Sequence, residues 1–86
     1  MKLTEKDKLT LLGAGYLAED LPTIEKRITG VKVYAVNNAT GKEEKTTQRL
    51  FSNLFGRDVL ILRASRAIFH GSSSTYNGLF TYIMEG

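Results

Sequence analysis

The sequence predicts a small mixed α+β domain with N-terminal helices, a central helix pair and a short antiparallel sheet. Three observations carry that expectation. Val31, Val33 and Val36 lie in a β-branched run. Leu50, Phe51, Leu54 and Phe55 fall at i, i+1, i+4 and i+5, one face of a helix. Phe80, Tyr82 and Met84 alternate with Thr81 and Ile83 directly after an Asn77-Gly78 turn dipeptide. A chain of 86 residues fits a single globular domain spanning 1–86. Folding at this size buries about 60% of the unfolded surface, enough for one modest core and too little for a spacious enzyme cleft.

From Thr4 to about Leu17, the residues Leu9, Leu12, Tyr16 and Leu17 recur at helical spacing, with Leu11 beside them. Thr4 and Asp7 are spaced as an imperfect capping box, in which Asp replaces the usual Glu or Gln. Gly13 and Gly15 each cost about 1 kcal/mol in a helix, so the first helix is expected to stop near them. A second, shorter helix follows, with Asp20 as its cap, Pro22 in its opening turn, Ile24 and Ile28 as its face and Gly30 as its stop. Residues 31–36 then form the clearest strand, and Asn37 to Gly41 supply turn residues, with Gly41 suited to positive φ. Lys42 to Lys45 has no hydrophobic face and reads either as a short polar edge strand or as a helix opening.

The segment Asp58–His70, DVLILRASRAIFH, also has two readings. As a strand it would be the hydrophobic centre of the sheet. As a helix, capped by Asp58 and stopped by Gly71, it sets Leu60, Ile61, Ala64, Ala67 and Ile68 on one side and Arg63, Arg66 and His70 along another. Helix is the better reading, because Ala64-Ser65-Arg66-Ala67 is poor strand material. It would follow the Leu50–Phe55 helix after only two or three residues, a spacing that resembles helix-turn-helix geometry without a base-reading signature. Ser72 to Thr75 reads as a loop. The last strand is expected to pair with residues 31–36.

Composition excludes several functions. The chain has no cysteine, which removes disulfides, thiolate catalysis and Cys-based metal sites and favours an intracellular, cytoplasmic setting. The N-terminal stretch is a poor signal peptide, since Glu5, Asp7 and Lys8 interrupt it, and no segment has the roughly 20 apolar residues of a membrane span. His70 is the only histidine, and no Asp/Glu/His cluster has ligand spacing. Ser72, Ser73 and Ser74 lie near it without an orienting acid, so no triad is assembled. Gly13-Ala14-Gly15 lacks the third glycine of a dinucleotide loop, and Gly71-Ser72-Ser73-Ser74 lacks the lysine of a P-loop. No cofactor, metal or catalytic residue is expected.

The formal net charge is +3. All four cations after residue 45 are arginines: Arg49, Arg57, Arg63 and Arg66. Arginine suits planar, bidentate contact with phosphate or carboxylate. The expected function is therefore a non-enzymatic binding module. Arg49, Arg57, Arg63, Arg66 and His70 would meet nucleic-acid phosphates, Ser72 and Ser73 would add hydroxyl donors, and Tyr76 would be a contact aromatic. An acidic protein partner is the alternative, as is a structural subunit of a homo-oligomer, since Phe51, Phe55 and Phe80 are substantial for so short a chain. The bland reading sets Arg63 and Arg66 in ion pairs with Glu43, Glu44 or Asp58, where they merely solubilise a helix.

Overall fold

The computed structural model describes every residue from Met1 to Gly86 and is a mixed α+β domain. In chain order it contains α1 (Glu5–Gly13), α2 (Leu21–Arg27), β1 (Lys32–Asn37), β2 (Glu43–Thr46), α3 (Gln48–Phe55), α4 (Arg57–His70), β3 (Ser72–Tyr76) and β4 (Phe80–Glu85). Short 3₁₀ turns at Ala18–Asp20 and Ile28–Gly30 flank α2. The sheet is antiparallel in the order β2-β1-β4-β3. The terminal strand pairs with β1 as expected, Val33 opposite Met84 and Ala35 opposite Tyr82.

The period-2 alternation of a strand decides which side of this sheet is covered. Val33, Tyr82, Met84 and Ser73 share one face and are buried. Tyr34, Val36, Ile83 and Tyr76 occupy the other, which carries no helix; the first three are half-buried and Tyr76 is exposed. On the covered face α3 brings Phe51 against Tyr82, with ring centroids 5.9 Å apart, and Phe55 stacks 4.6 Å from Phe51. Phe80 lies 6.2 Å from Tyr82. The phenylalanines that suggested a core completed by a second copy are thus satisfied within one chain.

Residues 57–70 are helix, which settles the two readings of that segment. Leu60, Ile61, Ala64, Ala67 and Ile68 are buried on its inner side as the period required. Ser65 is buried with them, and its hydroxyl donates to the Ile61 carbonyl at 2.7 Å, so no polar atom is stranded. The cap differs from expectation. The helix starts two residues earlier, at Arg57, with Gly56 in the cap position and as the only residue between α3 and α4. Gly56 has φ 98° and ψ 156°, a conformation nearly restricted to glycine, and this lets one helix end and the next begin across a single residue. Asp58 is left in the first turn, where a carboxylate still complements the helix dipole.

Three further expectations are corrected. Ser72–Tyr76 is a strand rather than a loop, because the hairpin closed by Asn77 lays it along β4 and Ser73 finds a buried partner for its hydroxyl. Asp20 accepts from the Leu17 amide and caps the 3₁₀ turn, making no side-chain bond to α2. Of the proposed α1 face only Leu11 is buried; Leu9, Leu12 and Leu17 are exposed, since α1 has α4 on one side and open solvent on the other. Residues 43–46 take the polar edge-strand alternative, and Gly41 has the expected positive φ, 74°.

The Thr4–Asp7 box closes in both directions. The Asp7 amide donates to Thr4 Oγ1 at 3.1 Å, and the Thr4 amide donates to Asp7 Oδ2 at 2.9 Å. Asp7 is 2% exposed and also receives the Arg57 guanidinium, Nη2 at 2.7 Å from Oδ2 and Nε at 3.0 Å from Oδ1. Arg57 holds the carboxyl below its ordinary 3.8; burial opposes that effect, and the Thr4 bonds reinforce it. Because the folded value is depressed, the stabilisation is complete above the unfolded value and disappears as pH falls through the folded one. Asp7→Ala should therefore cost about 2 kcal/mol near neutral pH in urea unfolding, from a lost cap contact and a partly buried charged bond. The gap to wild type should begin to narrow below about pH 4 and go on shrinking as pH falls through the lower folded value. Gly56→Ala should lower stability by about 1–3 kcal/mol without altering the sheet, as measured by thermal unfolding and far-UV dichroism.

Candidate anion-binding groove

The outer side of α4 is not uniformly solvated. Val59, Arg63, Arg66 and His70 follow one another at spacings of three and four residues and, with Leu62 beside Arg63, line one wall of a groove of about 560 Å³. Ala14, Gly15 and Tyr16 form the facing wall. Gly15 takes φ 100° immediately after α1, and this turn directs Tyr16 back toward α4, where its ring lies 5.8 Å from Phe69. The groove is amphipathic, with Val59 and Leu62 beside Arg63 and Arg66 in its lining.

Electrostatics separate the arginines. The ion pairs in the structure are Lys8–Glu5, Lys42–Glu44 and Arg57–Asp7. Arg63 and Arg66 have no acid partner, so the expected ion pairs with Glu43, Glu44 or Asp58 are not formed. Two unpaired guanidinium groups one helical turn apart create a local positive potential that a mobile anion can neutralise. Burial pushes the Tyr16 phenol up from its ordinary 10.0, nearby Arg66 lowers it, and Asp20 adds to the rise. The phenol therefore keeps its proton at neutral pH and offers a donor at the groove edge.

The remaining site residues are dispersed. Arg57 is held by Asp7 and serves the α1–α4 contact. Arg49 projects from the exposed side of α3 and does not line the groove. Ser73 is buried, and its hydroxyl donates to the Arg63 carbonyl at 2.8 Å, so it supplies no donor to a ligand. Ser72 is exposed in β3 and, with Tyr76, belongs to the sheet face opposite the helices. Tyr76 thus cannot stack on a ligand in the α4 groove. Sequence reasoning missed Tyr16 and Ala14–Gly15 as groove residues. The Gly-Ala-Gly break after α1 was the available signal, but Tyr16 was counted with the leucines of the first helical face rather than as part of a turn.

No group of three or more His, Cys, Asp or Glu side chains is arranged to hold a metal ion, and no helix is long and apolar enough to cross a membrane. The chain matches no known family model, curated protein or solved structure.

Because Arg63 and Arg66 make no intramolecular ion pair, replacing both by alanine should change stability by no more than about 1 kcal/mol and leave the dichroism spectrum unchanged. Chemical denaturation of the double variant checks this. A larger loss would show that their aliphatic stems hold α4 in place.

Proposed function

We propose that this domain is a non-enzymatic binding module that takes nucleic-acid phosphates into the α4 groove. The observation that supports this most directly is the pair of guanidinium groups, Arg63 and Arg66, without acid partners in a groove that Tyr16 also lines. Two arginines on successive turns can each present a planar fork to a phosphate oxygen pair. Val59 and Leu62 would lie under the sugar, and Tyr16 would meet the chain at the opposite wall. His70 extends the polar rim toward the end of α4. Arg49 and Arg57 are outside this contact set.

The same groove would also accept a carboxylate-rich peptide, the alternative partner class. Salt dependence and competition separate the two. Binding of labelled oligonucleotides, single-stranded and duplex, should weaken as salt rises, with a log–log slope of about −1.4 to −1.8 for two phosphate contacts. Arg63→Ala and Arg66→Ala should each reduce that slope by about one contact, while Arg49→Ala should not. Absence of binding at low salt, or an unchanged slope in the double variant, would remove nucleic acid as the ligand. Displacement by a polyglutamate peptide but not by polyphosphate would favour the protein partner.

A further inference from the structure

The two edges of the sheet are not equivalent. β2 presents Glu43, Glu44 and Lys45, and charges on an edge strand discourage another strand from pairing with it. β3, at the opposite edge, reads Ser72-Ser73-Ser74-Thr75-Tyr76, without a charge or a proline. Its hydrogen-bond phase is fixed at both ends: the Asn77 amide donates to Phe80 O at 3.0 Å, and the Gly86 amide donates to Gly71 O at 3.2 Å. Antiparallel ladders alternate, so Ser73 and Thr75 turn their amides and carbonyls toward β4. Ser72, Ser74 and Tyr76 turn theirs outward. All three residues are exposed.

We propose that β3 is the interface for a second copy of this chain, paired antiparallel about a two-fold axis through Ser74. The outward groups make the strand self-complementary. Ser74 faces Ser74 of the second copy, and Ser72 faces its Tyr76. Each pairing joins two residues whose free N–H and C=O can be exchanged. The uncovered side of Tyr76, which is 69% exposed, is laid over Ser72 of the second copy. The product is one continuous sheet of both copies, with no register slip needed to match donors and acceptors.

A two-fold axis perpendicular to the sheet keeps both helical layers on the same side. Ser73 ties β3 to α4 through the Arg63 carbonyl, so the two α4 helices become neighbours across the axis. The two copies then contribute Arg63 and Arg66 to a shared basic surface. This joined surface rests on the phosphate-binding reading above, whereas the β3 pairing does not.

Sedimentation of the full chain without nucleic acid should show a concentration-dependent rise from 9.6 kDa to about twice that mass. Amide exchange should slow at Ser72, Ser74 and Tyr76 as concentration rises, while Ser73 and Thr75 are protected at every concentration. Ser74→Pro removes only an outward N–H, a position where an edge strand tolerates proline, and should weaken association at least tenfold. Ser74→Lys retains the amide, adds like charges at the axis, and should do the same. Arg63→Ala/Arg66→Ala should dimerise at least as well as wild type, and Ser74→Pro should bind a short oligonucleotide as wild type does, which separates failure of the interface from failure of the groove. The proposal is overturned if the chain stays monomeric to millimolar concentration, if a dimer forms without protecting those three amides, or if both Ser74 variants dimerise normally.

Discussion

The structure depends on α4 being buried along one side and open along the other. Its inner side meets the sheet through β3 and β4 and the N-terminal half through α1, α2 and the turn before β1. Ala64, Ser65 and Ala67 let these neighbours approach closely, while Leu60, Ile61 and Ile68 provide the bulk. Burying each of those larger side chains contributes roughly 1.5–3 kcal/mol. No other element touches as many parts of the fold. If α4 were a strand, α1 and α2 would lose the surface that holds them.

The N-terminal half needs polar fastening as well, because α1 buries so little. Only Leu11 of its leucines is covered, and the Asp7–Arg57 pair anchors the opposite end of the contact. Gln48 performs a similar task at the start of α3, where its amide donates to the carbonyls of Ile28 and Val31 at 2.8 and 2.9 Å. Those carbonyls close the 3₁₀ turn after α2; Ile28 O also accepts from the Val31 amide at 3.1 Å, and Gln48 ties both of them to the start of α3. In a domain of this size, such bonds fix the placement of elements that hydrophobic area alone would leave loose.

Elements with strong local periodicity were legible from the sequence. The β1 run, the Phe51–Phe55 spacing and the β4 alternation each needed only nearest neighbours to identify them. The Arg63–Arg66–His70 stripe followed once residues 57–70 were helical. What could not be read was partnership between residues distant in sequence. Arg57 looked as free as Arg63 until Asp7, 50 positions away, was found against it. Ser72–Thr75 looked like a loop because serine has weak strand preference, and pairing with β4 overrode that preference. Tyr16 became part of the groove through a glycine turn whose direction depends on α4.

These errors share a physical origin that also explains the final arrangement of charge. A guanidinium beside a nearly buried carboxylate is consumed by the fold, whereas one on an open helix face remains available. Arg57 falls in the first class because it follows Gly56 and points toward α1. Arg63 and Arg66 fall in the second because their side of α4 faces the short turn after α1 rather than another packed element. Arg63 belongs to both worlds in part: its guanidinium lines the groove while its carbonyl receives Ser73 from β3. The position of the groove wall is thereby tied to the edge strand.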